Sequence, residues 1–215
     1  MKIENSMIHW SGKQMLVLDV ETTGLDHSIH EIFQICLLPL DSNLEPRKDI
    51  FPFLIEIQPE HPELATPEAI RLNRKSFETA CKRGFDQEKA KDLLAVWLEG
   101  LGLTYTTFGN RKRAYLLGHN VAQFDVPFVR SWLGHSLFNE YFDGRIRDTM
   151  VIAAYMNDFG GMRGLNPYFQ HLNLKGLNTT FGLDFENAHH ALEDCLATAR
   201  VYREMCRRGI DKQLV

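Results

Sequence analysis

The chain has 215 residues, with 24 Lys and Arg against 28 Asp and Glu, a formal net charge of −4, 44% hydrophobic and 24% charged residues. That composition suits a globular chain with a sizeable core; it excludes a protein held to nucleic acid by overall positive charge, but not one that grips phosphates through metal ions and a few local cations. No apolar run approaches the ~20 residues of a membrane helix, and the opening MKIENSMIHWSGKQ lacks a signal-peptide core, so no membrane partner and a cytoplasmic location are expected.

Residues 1–14 read as an N-terminal extension and 15–210 as a single domain, because no low-complexity linker divides the rest. Met15 to Val20 reads as a buried strand, Glu31 to Leu40 as a second and Asp49 to Gln58 as a third, with Asp41, Ser42 and Asn43 turning the chain between the last two. Together they predict an antiparallel meander. In TPEAIRLN a helix start is written in Thr66 as N-cap, Pro67 at the first helical position and Glu68 in the first turn. Asp86 to Gly102 has helical periodicity and stops at glycine. RAYLLGHN predicts a fourth strand, and FDVPFVRSWLG a helix in which Pro127 is tolerable only near the start. RIRDTM predicts a short strand running into a helix, and GGMRG a loop. A last long helix is expected from about Ala188 to Arg208, with an apolar stripe of Leu192, Cys195, Ala199, Tyr202 and Cys206. Strands first, then strands alternating with helices, predict an α/β fold: a mixed five-stranded sheet, antiparallel meander then parallel strands, flanked by helices. Cys36, Cys81, Cys195 and Cys206 form no CxxC pair and no zinc spacing, and read as buried free thiols in a reducing compartment.

LVLDVETTG interrupts its apolar run with two carboxylates. In a strand, residues two apart share a face about 6 to 7 Å apart along the chain, so Asp19 and Glu21 lie side by side. Like charges on a largely buried strand are costly, and bound Mg²⁺ or Mn²⁺ removes the cost. On its own a DxE pair also fits a strand end where both groups meet solvent or an arginine. GHNVAQFD places Asn120 and Asp125 at a turn and helix start, where capping is the plain alternative. HHALEDCLATA places Asp194 early in the last helix. His189, five positions earlier, reaches it only from the helix's frayed start or just outside. There the dipole favours the neutral, base-competent imidazole; the plain alternative for His189 or His190 is a surface or capping histidine.

In that order the motifs DVETTG, GHNVAQFD and HHALED resemble those of the DEDDh 3′–5′ exonucleases, the DnaQ-like branch of the ribonuclease H-like fold. RDTMVIAA and the run-in GLNTTFGLDFENAHH are similar to the family's linking segments, and the resemblance spans about Met15 to Met205. It implies a catalytic set of Asp19, Glu21, Asp125, His189 and Asp194. The four carboxylates would hold two divalent ions ~4 Å apart. Asp19 would bridge them, Glu21 and Asp194 would complete the first, and Asp125 would act on the second. His189 would take a proton from the attacking water, and nucleoside 5′-monophosphates would leave from a 3′ end. His190 is left structural. Leu25 is similar to the family's apolar wedge beside the terminal base, and Thr22 and Thr23 to the positions that meet the terminal sugar. His119, Asn120 and Phe124 would line the same pocket, with core packing the alternative for Phe124.

Arg111, Lys112 and Arg113, and the Gly-rich 157–176, depart from the simplest family pattern; the first reads as a backbone contact or a solvated loop. The expected partner is a nucleic-acid 3′ end, DNA over RNA, in repair or proofreading, with a polymerase or homodimer partner open. The alternatives are an exoribonuclease of the ribonuclease T or oligoribonuclease type, and a non-catalytic nucleic-acid- or polymerase-binding subunit.

Overall fold

The computed structural model describes residues 12–103, 113–185 and 190–210, except the side chains of 209 and 210. Its strands are β1 (Met15–Thr22), β2 (Ile32–Leu40), β3 (Phe53–Glu56), β4 (Ala114–Gly118) and β5 (Phe142–Asp148). They form one mixed sheet in the order β3-β2-β1-β4-β5. β1–β2 and β2–β3 are antiparallel, β1–β4 and β4–β5 parallel, so the predicted meander followed by parallel strands is what forms. The helices are α1 (Pro67–Arg83), α2 (Gln87–Gly100), α3 (Asp125–Leu133), α4 (His135–Tyr141), α5 (Thr149–Gly161), α6 (Leu174–Phe181) and α7 (Ala191–Ile210). Among the described residues no helix is long and apolar enough to cross a membrane.

β1 is central and its alternation sorts the core. Leu16, Leu18 and Val20 pack with Ala90 and Leu94 of α2 and Phe128 and Val129 of α3. Met15 and Val17 pack on the other face with Ala191, Cys195 and Ala199 of α7. By the same period of two, Asp19 and Glu21 belong to the α7 face. A third cluster joins Ala153 and Met156 of α5, Phe169 of the loop that follows, Leu177 and Phe181 of α6, and Val201 and Met205 of α7.

Several local expectations shift. The third strand keeps only four residues of its predicted ten, because Pro52 lacks a ladder N–H and Phe51 is exposed, its carbonyl accepting from Trp97 Nε1. Helix α5 runs through Gly160 and Gly161, so only the end of GGMRG is loop, and 157–176 is helical at both ends. Cys36 and Cys195 are buried, but Cys81 and Cys206 are only half-buried; all four are free thiols. The last helix begins at Ala191 rather than near Ala188. Thr66 caps α1 as expected, its hydroxyl accepting from Ala69 N, and Asp86 caps α2 through Lys89 N.

Candidate active site

The β1–β4 pairing ends at Val17–Leu117, while β1 runs on to Thr22. Asp19 and Glu21 therefore project beyond the carboxyl end of β4, where β1 has an antiparallel neighbour on one side and a parallel one on the other. Ligands of open α/β sheets bind in such crevices. Across β2, Asp19 faces Cys36 and Glu21 faces Gln34, and the register slips just after Glu21.

Two helix starts converge on this strand end. α7 is pinned by Ala191 N donating to Gln34 Oε1 at 3.2 Å, with Cys195 Sγ seated 3.6 Å from Val17 O. This brings Asp194, one turn in, over β1. Oxygens of Asp19, Glu21 and Asp194 all lie within 4.8 Å of one another. Asp125 opens α3, and its Oδ1 accepts from Val20 N at 2.9 Å. The aspartate thus reaches back to the strand instead of only capping its own helix. Gly118 permits the intervening turn: a Cβ there would sit 2.3 Å from Val121 Cβ. Asn120 follows with φ 56°, a left-handed conformation asparagine tolerates.

Burial, then the neighbouring carboxylates of Asp125, Glu21 and Asp194, raises the Asp19 pKa well above its ordinary range. Burial first, then Asp194 and Asp125, pushes Glu21 to about 8. Burial likewise raises Asp125 to about 8, with Asp148 and Asp194 adding to it and backbone N–H groups opposing. Among the described residues no salt bridge reaches Asp19, Glu21 or Asp125. Oxygen donors this close fit a hard divalent ion, which would relieve the mutual repulsion.

Beside the carboxylates opens a cavity of about 890 Å³, lined by Glu21, Thr22, Leu25 and Phe124 together with Leu72 and Asn73 of α1. Leu25 stands 83% exposed at its rim, a placement no core role explains. Phe124 faces the cavity and also meets the Phe128 ring at 5.1 Å. Thr22 spends its hydroxyl on Gly24 O at 2.7 Å. Thr23 is placed otherwise than expected. It is 1% exposed, its hydroxyl accepts from Glu31 N, and its carbonyl accepts from Thr66 N. It ties the loop to the start of α1. His119 Nδ1 lies 2.9 Å from Thr149 Oγ1, and burial lowers its pKa against the pull of Asp148. Asn120 donates its backbone N–H to Asp148 Oδ1. Neither His119 nor Asn120 lines the cavity. His189 lies outside the described residues, as do Arg111 and Lys112; Arg113 lies near Asp143 instead, at 4.0 Å.

Three residues passed over in the sequence shape the site. Asn73 donates to Glu21 Oε2 at 2.5 Å. Gln34, fully buried, links α7 to β2 and also donates to Glu56. Asp148 accepts from Asn120, Ala122 and Met150 N–H groups, fixing the turn before Asp125 and capping α5 at once. Their available signals were a glutamine in an apolar strand and an asparagine inside a helix.

A profile of the family described as RNase_T, exonuclease, matches residues 16–202. No curated protein matches the sequence. Among solved structures, zinc-bound E. coli exonuclease I with single-stranded DNA is similar at TM-score 0.68 and 20% identity, over 94% of this chain and 42% of that one. E. coli exonuclease I with a dT13 oligonucleotide is similar at TM-score 0.67 and 20% identity, over 91% and 41%. A moderately thermophilic exonuclease I from Methylocaldum szegediense is similar at TM-score 0.68 and 20% identity, over 94% and 42%. The chain thus spans about two fifths of these structures, which share its ribonuclease H-like fold. The profile covers most of the chain and the three motifs fall in order within it: the chain belongs to the exonuclease family, as a DEDDh member.

Proposed function

We propose that this chain removes nucleotides from the 3′ end of single-stranded DNA as a metal-dependent 3′–5′ exonuclease, the catalytic unit spanning 15–210. The observation that carries the reading is the set of Asp19, Glu21 and Asp194 oxygens within 4.8 Å, with Asp125 held to the same strand. Solved neighbours holding single-stranded oligonucleotides support the substrate class.

Asp19, Glu21, Asp125 and Asp194 would hold two Mg²⁺ or Mn²⁺ ions, which when bound stabilise charge on the phosphate and on the departing 3′ oxygen. The chain's own groups do the rest. Leu25 and Phe124 offer apolar surface to the terminal base in the adjoining cavity. Val20 N and the Asn73 amide hold two of the carboxylates in place. His189, five residues before Asp194, takes the proton of the attacking water, a role assigned from the motif.

Matched 3′- and 5′-labelled DNA and RNA oligonucleotides test this. The expected result is stepwise shortening from the 3′ end, faster on DNA, requiring Mg²⁺ or Mn²⁺ and stopped by EDTA. Undiminished activity in EDTA, or mainly endonucleolytic fragments, overturns the reading. Faster cleavage of RNA moves the substrate to a ribonucleic acid 3′ end.

A further inference from the structure

Asn73 carries two local costs at one side chain. It interrupts α1 with φ −125° and ψ 30° between two helical stretches. It is 8% exposed, and among the described residues its Oδ1 is buried without a hydrogen-bond partner. A buried acceptor gives up its water for nothing, and a broken helical turn gives up backbone bonding. A side chain selected only to hold the fold together has no reason to bear both.

Glu21 supplies the reason. In the ionised form that would ligate a cation, the Glu21 carboxylate can only accept hydrogen bonds. The amide must therefore turn its nitrogen to Glu21 Oε2, which it meets at 2.5 Å, and leave its oxygen behind. The irregular residue is the point at which α1 yields to bring that amide within reach. On the same helix Glu68, Ala69 and Leu72 line the cavity, so one element carries both a cavity wall and the clamp on Glu21.

We propose that Asn73 is a positioning residue that locks the Glu21 carboxylate in the orientation in which it ligates a divalent ion. The proposal rests on the carboxylate cluster being a metal site. Groups that hydrogen-bond a ligating carboxylate from behind fix its orientation, and losing one weakens metal binding ~10- to 100-fold.

Calorimetric titration of Mn²⁺ into the wild type, Asn73→Leu and Asn73→Gln, with thermal melts of all three in EDTA, tests it. Asn73→Leu is expected to lose ~10- to 100-fold in Mn²⁺ affinity while melting in EDTA no lower than the wild type, since it removes the orphaned acceptor. Asn73→Gln keeps the donor on a longer arm and is expected to recover part of the affinity. Unchanged Mn²⁺ affinity in Asn73→Leu overturns the proposal. So does a clear drop in its EDTA melting temperature, or a failure to fold, either of which makes Asn73 structural. A wild type that binds no Mn²⁺ overturns the metal reading itself and this proposal with it.

Discussion

Asp143 and Asp19 lie in the same sheet, two strands apart, and live in opposite electrostatic worlds. Asp143 on β5 is 3% exposed and is met by Arg145 at 2.9 Å, Lys13 at 3.1 Å and Arg113 at 4.0 Å. The Arg145 hydrogen bonds, followed by those of Arg145 N–H and Lys13, hold its carboxyl well below the usual carboxylate range. Asp19 is surrounded instead by Asp125, Glu21 and Asp194, and its pKa rises. The chain has the means to neutralise a buried carboxylate and uses them on β5. At the end of β1 it gathers carboxylates instead, an arrangement whose repulsion a bound divalent cation would relieve.

The sharpest break of this contrast is Asp19→Asn. Hydrolysis should fall by at least ~10³-fold, since the proposed metal site would lose one of its carboxylate charges. In EDTA the variant should melt at or above the wild-type temperature, because one member of a repelling cluster has been removed. Added Mn²⁺ should raise the wild-type melting temperature and the variant's much less. Strong destabilisation of Asp19→Asn in EDTA would show that a cation of the protein already serves it, erasing the difference from Asp143.

His189→Ala should cost ~10² to 10⁴-fold in rate, and His190→Ala far less. Steady-state kinetics on one oligonucleotide decide it; an equal loss at both positions would mean that the base has been assigned to the wrong histidine.

The two regions should also answer pH with opposite signs. Glu21 and Asp125 titrate near 8 in the metal-free fold, against ordinary values of 4.5 and 3.8. Between about pH 4 and 8 the folded state therefore binds more protons than the unfolded, and stability falls as pH rises through that window. For Asp143 the folded pKa is depressed, so its contribution is present above 3.8 and lost as pH falls below it. In EDTA the melting temperature should drop by about 5 °C or more between pH 5 and pH 8. Saturating Mn²⁺ should flatten that limb. A metal-free protein equally stable at both values would contradict the cluster.

The smallest expected effect is Asp143→Asn. It should lower stability by about 1 kcal/mol, because the cations it releases are partly exposed and regain water. Exonuclease rates should stay unchanged, as measured with the same oligonucleotides; a lost rate would tie β5 to the site.

Where local pattern decided the structure, the sequence could be read. The period of two along LVLDVET places Asp19 and Glu21 on one face whatever packs there, and Thr66 caps the helix whose start it marks in TPEAIRLN. Partners brought by distant loops could not be read. Thr23 has a free hydroxyl in sequence, and only the return of Glu31 and Thr66 uses it up. Asn73 looks like a poor helix residue until α1 crosses the end of β1. Gln34 looks like a strand impurity until Ala191, 157 positions later, needs an acceptor. Asp148 read as a helix start, which it is, but its second oxygen and two further N–H groups organise a loop before it in the chain.

That Gln34–Ala191 link also sets when in the life of the chain the site can exist. Asp19, Glu21 and Asp125 are all in place within the first 125 residues, yet Asp194 arrives on the last helix, across a long-range contact that is slow to close. During synthesis, which proceeds from the N-terminus, a nascent chain that has not released α7 holds an incomplete carboxylate set. Its α7-facing patch of β1 and β2 is still bare. The event that covers this patch also brings Asp194 to Asp19 and Glu21, so closing the core and completing the carboxylate cluster are one step.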